Sequence, residues 1–158
     1  MPMSPAGCSI ADTLEVIGDR WSILILRDAF RGVRRFDELQ RDLGIARNVL
    51  TDRLQKLVDH RVLMRRPYQT RPTRYEYRLT PKGRDLSPAL VALMRWGDTW
   101  LAGDAGPPLV LTHRECGAPL DQAFVCWSCD TTVTPTEIGS RPGPGAKGFG
   151  RANAGISA

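Results

Sequence analysis

The sequence predicts a mainly α-helical chain with one β-hairpin, an α+β arrangement, and a small Cys/His hairpin near its end. Three observations carry this expectation. Apolar residues recur at helical spacing through residues 10–58. Two strand-like runs, Val62 to Tyr68 and Arg74 to Leu79, follow with a proline-containing tip between them. A Gly/Pro-bearing linker, GDAGPP, then separates the last helix from His113, Cys116, Cys126 and Cys129.

The totals bound the possibilities. At 158 residues there is room for one ordinary domain and a small appendage. Net charge is +5, from 22 Lys and Arg against 17 Asp and Glu, which suits a polyanionic partner. Arginine supplies nearly all of it, since only Lys56, Lys82 and Lys147 are lysines. The N-terminus has neither the basic start nor the apolar run of a signal peptide, and no window approaches a membrane span. A cytoplasmic location with reduced thiols is therefore expected, so the four cysteines are read as metal ligands, redox groups or core residues. No nucleophile–base constellation, phosphate-binding glycine loop or open metal site is legible, so no enzyme is expected.

The elements follow in order. Ile10, Leu14 and Ile17 share one helical stripe, and Gly18 ends that helix. Asp19 caps a second helix, Trp21 to Phe30, whose core face is expected from Trp21, Leu24, Ile25 and Ala29. After Gly32, the third helix places Phe36, Leu39 and Leu43 on one face, and Gly44 supplies the positive φ that stops it. The fourth buries Leu50, Leu54, Leu57 and Val58. Its opposite face carries Arg47, Asn48, Thr51, Asp52, Gln55 and Lys56. Arg pairs bidentately with guanine, Asn with adenine, and Thr meets the thymine methyl, so this face is a candidate for reading bases in the major groove. A plain solvated face is the alternative.

In the second strand Tyr75, Tyr77 and Leu79 alternate with Arg74, Glu76 and Arg78, which predicts one buried side. The tip QTRPT contains Arg71. Three helices followed by a basic-tipped hairpin is the winged helix-turn-helix plan. In it Arg34, Arg35 and Arg53 are phosphate candidates, and the wing residues Arg71 and Arg74 are candidates for phosphate or minor-groove contact, with a solvated charge as the alternative. Arg53 has a second reading, fold support by pairing with Glu38 or Asp37. Thr80-Pro81 starts a helix toward Leu101, with Pro88 expected to kink or restart it. Its Leu86, Leu90, Leu93, Met94, Trp96 and Trp100 are either intramolecular core or, with the N-terminal helix, a dimer seam.

Gly18-Asp19-Arg20-Trp21, Arg35-Phe36-Asp37-Glu38-Leu39, Leu50-Thr51-Asp52-Arg53-Leu54, Tyr75-Glu76-Tyr77-Arg78-Leu79-Thr80 and Trp96 resemble the HxlR-type transcriptional regulators, winged-helix relatives of the MarR group. The resemblance covers residues 8 to 101. It implies a homodimer, held by the N-terminal helix and the 81–101 helix, on a roughly palindromic operator in double-stranded DNA. Ala46 stands where the family usually has a serine, so the recognition helix lacks a side-chain cap. Members of that family often carry a cysteine before the first helix, in some an oxidant sensor. Cys8 is thus a possible redox sensor, with an inert thiol as the alternative.

Beyond the linker, His113-x2-Cys116, nine residues and Cys126-x2-Cys129 present two ligand pairs on a zinc-ribbon-like hairpin. Three thiolates and an imidazole suit a structural Zn²⁺ with closed coordination. Incidental cysteines in a hairpin are the competing reading. The expected organisation is a winged-helix DNA-binding and dimerisation domain over 1–106, the zinc-ribbon-like extension over 107–138 and a disordered Gly/Pro-rich tail over 139–158. Arg141, Lys147 and Arg151 of the tail add weak attraction to DNA. A protein-interaction module docking through the zinc hairpin is the alternative function, and the sequence names no effector.

Overall fold

The computed structural model describes residues 8–145. Lys147, Arg151 and the rest of the tail beyond residue 145 lie outside the described residues. The described residues divide into two compact units, residues 10–97 and residues 8–9 with 98–145. Among the described residues no helix is long and apolar enough to cross a membrane.

The first unit begins with α1 (Ser9–Ile17) and α2 (Arg20–Phe30). Gly18 separates them, and its N–H donates to Leu14 O at 2.7 Å. A Cβ there would strike that same carbonyl, which is why the position is glycine. Asp19 caps α2 as expected. Its Oδ1 accepts from Trp21 N and Ser22 N, and its Oδ2 from Ser22 Oγ at 2.6 Å. The buried face of α2 differs from the expected one: Ser22, Ile25, Leu26 and Asp28 are buried, whereas Trp21 and Ala29 only flank the core. Two of these, Ser22 and Asp28, are polar and lie off the expected apolar stripe. Ser22 is engaged by Asp19, and Asp28 Oδ1 by Arg27 Nε at 2.9 Å and Arg31 Nη1 at 3.4 Å, while the buried Asp28 Oδ2 has no hydrogen-bond partner among the described residues.

α3 (Phe36–Leu43) ends at Gly44, whose φ of 61° is the left-handed stop that glycine permits. α4 (Arg47–Asp59) buries Leu50, Leu54 and Leu57, with Val58 packed beside them. Together with Ile17, Ile25, Leu26, Leu39, Ile45, Val62 and Leu63 these residues make one core. The wing is an antiparallel pair, β1 (Leu63–Thr70) and β2 (Thr73–Leu79), running from Leu63 opposite Leu79 to Thr70 opposite Thr73. The strands run further than their composition suggested, so the tip is only Arg71-Pro72. Register shifts between Pro67 and Gln69, where proline has no N–H for the ladder. The expected one-sided burial of β2 is not observed. Every residue from Tyr75 to Leu79 is half-buried, because Arg35 pairs with Glu76 across the other edge and Arg78 folds onto Glu76 at 2.6 Å.

Thr80 caps α5 (Pro81–Arg84), and the helix restarts as α6 (Ser87–Trp100) with Pro88 in its first turn, as the proline predicted. In the second unit the segments 111–120 and 124–133 each fold into a short hairpin. The second contains β3 (Phe124–Cys126) and β4 (Thr131–Val133).

Candidate nucleic-acid interface

α4 exposes what its sequence pattern turned outward. Arg47, Asn48 and Thr51 are exposed in its first two turns, while the leucines on the other side anchor it to the core. Ala46 occupies the cap with extended backbone and no capping side chain. The first N–H groups of α4 are thus left for water or an anion. The Arg47 guanidinium lies over the Phe36 ring, 4.8 Å from its centre. Thr51 Oγ1 donates to Arg47 O at 2.9 Å, so its methyl is the group most available for contact.

Backbone pairing sets the arginines of the α2–α3 connection beside the wing. Tyr77 N donates to Arg34 O at 2.8 Å, and Arg35 forms the β-bridge to Glu76. Arg34 and Arg35 are both exposed. The Arg35 N–H also donates to Glu38 Oε2 at 3.3 Å, which ties the start of α3, and its guanidinium stacks over Tyr68 at 4.7 Å. Arg71 at the tip and Arg74 on β2 are exposed.

Between the start of α4 and the wing lies an open cleft of about 570 Å³, with Arg35, Arg47, Arg65 and Arg74 in its walls and Asp37 as its acid. Sequence reasoning missed Arg65, whose guanidinium stacks on Tyr75 at 3.5 Å. The ladder accounts for the stack: Pro67 opposes Tyr75 and Arg65 opposes Tyr77, so Arg65 and Tyr75 are diagonal neighbours, a register the sequence alone did not set. Stacking fixes a guanidinium plane while its in-plane N–H groups stay free to meet phosphate or guanine.

Arg53 does not join this surface. Its Nε lies 3.0 Å from Asp19 Oδ1, so it braces α4 against the cap of α2 and pairs with neither Glu38 nor Asp37. The Nε–H does not point along that line, which makes the contact an ion pair and not a hydrogen bond. Burial pushes the Asp19 carboxyl up. The Ser22 hydroxyl and N–H, with the charges of Arg53 and Lys56, outweigh it and hold the carboxyl below its ordinary value.

The remaining candidates lie in the second unit. Cys8 is a half-buried free thiol beside the first residue of α1. His113 Nδ1 is 3.3 Å from Cys116 Sγ. The N–H groups of Cys129 and Ser128 and the Cys129 side chain hold the Cys126 thiol below its ordinary value. The four donors thus stand as two pairs. Among the described residues no three His, Cys, Asp or Glu gather at one point.

A three-helix core, a two-stranded wing and an exposed recognition helix beside stacked arginines define a winged helix-turn-helix DNA-binding protein. Residues 16–105 match the HxlR-like helix-turn-helix family model, and the chain belongs to that family. It is 48% identical over 141 residues to an uncharacterised HTH-type transcriptional regulator of Mycobacterium tuberculosis, covering 89% of each chain. An alignment of that length cannot end with the winged-helix part and must run into the extension. Among solved structures, PA1607, a proposed transcription factor, superposes with a TM-score of 0.78 at 38% identity, over 89% of this chain and 96% of that one. The oxidised form of the redox regulator HypR matches 58% of this chain and 96% of its own, at 32% identity and a TM-score of 0.54. The protein is a transcriptional regulator of the helix-turn-helix type and not an enzyme.

Proposed function

We propose that the protein acts in the cytoplasm as a homodimer on a palindromic operator, each protomer laying α4 in the major groove of one half-site. The observation that carries this is the exposed Arg47, Asn48 and Thr51 face at the start of α4, flanked by the arginine-walled cleft. Arg47 and Asn48 read bases, Thr51 meets a thymine methyl, and Arg34, Arg35, Arg65, Arg71 and Arg74 bind the phosphates that set register. Support for the dimer comes from apolar residues that the core leaves uncovered. Ile10 and Leu14 on α1, and Leu93 and Trp96 on α6, are all more than half exposed, and Trp100 continues the α6 row one turn on. Such a row on a regulator is a natural self-association surface.

Light scattering joined to mobility-shift titration on genomic fragments tests the reading. The expected result is twice the chain mass, lost in Trp96→Glu, and tight binding to selected sequences against competitor DNA. A monomer at working concentration, or affinity indifferent to sequence, overturns it. Cys8 is proposed as the thiol through which oxidants alter the dimer, supported by its place before α1 and by the likeness to HypR. Cys8→Ser should keep its DNA affinity and lose any response to diamide.

A further inference from the structure

The segment 112–137 holds a defined shape without a core. None of its residues is buried, and only Cys126 and Val133 are even half-buried. Leu120, Phe124 and Val125 face solvent, and Trp127 is 97% exposed. Two three-residue strands cannot hold such a shape in water by themselves, and fragments this small are stabilised by disulfides or metals. The cysteines here are free.

The two hairpins repeat one design. In the first, His113 N donates to Ala118 O at 2.8 Å and Gly117 N to His113 O at 2.7 Å, which closes the turn around His113 and Cys116. In the second, Cys126 opposes Thr131 in the ladder, and Cys126 to Cys129 fill the turn. Each turn is ended by a residue at positive φ directly after the second donor: Gly117 at 71° and Asp130 at 51°. Asp is among the non-glycine residues that adopt this region most readily, so the two turns end in the same backbone conformation. Both turns bring their own two donors together. The His113 Nδ1 to Cys116 Sγ separation of 3.3 Å is close to the ligand–ligand edge of a tetrahedral zinc site, roughly 3.5 Å from its bond lengths.

We propose that these turns are the two halves of one structural Zn²⁺ site, with His113, Cys116, Cys126 and Cys129 as ligands, and that the metal serves the extension as its core. The halves stand apart among the described residues, and the ion is what draws them to a common point. On binding, the three thiols release their protons and His113 binds as neutral imidazole; no electron transfer is involved. Three soft sulfur donors and one nitrogen select zinc over magnesium or calcium. Four protein ligands leave no position for water, so the site holds structure and runs no reaction.

The test uses full-length protein purified under reducing conditions. Elemental analysis should give about one zinc per chain, and cobalt(II) exchanged into the site should show the intense thiolate charge-transfer and visible bands of tetrahedral coordination. Cys116→Ser and Cys129→Ser, one from each turn, should each lower zinc content at least about fivefold. Both should keep the helical circular dichroism of the winged-helix unit, which has its own core. Chelation should open the segment 112–137 to proteolysis. No metal uptake from added zinc, full zinc in either variant, half a zinc per chain, or an octahedral cobalt spectrum would each overturn the proposal. The cobalt spectrum of the unmodified protein decides the matter even if a variant misfolds.

Discussion

Asp19 is the point at which α2 and α4 are joined, and replacing it by alanine should cost the winged-helix unit more than a surface carboxylate ordinarily would. Its Oδ1 accepts two N–H groups of the first turn of α2, a capping arrangement worth about 1 kcal/mol. Its Oδ2 accepts the Ser22 hydroxyl, and Ser22 is fully buried, so deletion strands a buried donor at a further 1–3 kcal/mol or so. The Arg53 ion pair adds little, because both side chains are about a third exposed and such pairs contribute roughly 0–1 kcal/mol. Asp19→Ala should therefore lose about 2–4 kcal/mol. Urea unfolding at fixed chain concentration should show a lower midpoint with an unchanged slope. Asp19→Asn keeps a capping oxygen and should lose no more than about 1 kcal/mol. A loss below about 0.5 kcal/mol in Asp19→Ala would refute the capping argument.

The same residue gives a sign for pH dependence. A carboxyl held below its ordinary value in the folded state contributes stability that is complete above the unfolded-state value and is lost as pH falls through the folded one. The contribution of Asp19 is thus intact at neutral pH and fades only in acid below the usual aspartate range, and Asp19→Asn should flatten the stability curve there.

Arg53→Ala should lower stability slightly and leave DNA affinity within about twofold; a large loss of affinity with unchanged stability would return Arg53 to the phosphate contacts. Arg47→Ala should lose discrimination at one operator position by about 1–3 kcal/mol, whereas Arg71→Ala or Arg65→Ala should weaken binding to all sequences and reduce the salt slope by about one, measured by titration at several salt concentrations. Gly83 is buried against the Val62 carbonyl, where a Cβ has no room, so Gly83→Ala should cost about 1–3 kcal/mol in the same unfolding assay.

Where a helix stop or cap depends on its neighbours along the chain, the sequence is enough to read it. Gly18, Asp19, Gly44, Thr80 and Pro88 act within one turn, and each stop, cap or restart falls where their chemistry dictates. The stripe of α4 is legible for the same reason, since Leu50, Leu54 and Leu57 leave only one face for Arg47, Asn48 and Thr51. The misreadings come from contacts, some local and some distant in sequence, that periodicity does not display. Ser22 and Asp28 look like surface residues until Asp19, Arg27 and Arg31 are seen to engage them. β2 looks two-faced until Arg34 and Arg35 pair along its far edge. Arg53 shows the limit most plainly. The pattern of α4 leaves both a phosphate contact and fold support open to it, and the approach of α4 to α2 supplies a partner, Asp19, that neither reading named. The arginines that remain candidates for DNA are those whose guanidinium groups stack on Phe36, Tyr68 and Tyr75 or stay exposed on the wing and, at Arg34, on the α2–α3 connection. The ring contacts occupy the face of the guanidinium and not its donor edge, although Arg35 Nη1 also lies 3.9 Å from Glu38 Oε1, and that use of the face, more than net charge, separates a candidate DNA-binding arginine from a structural one.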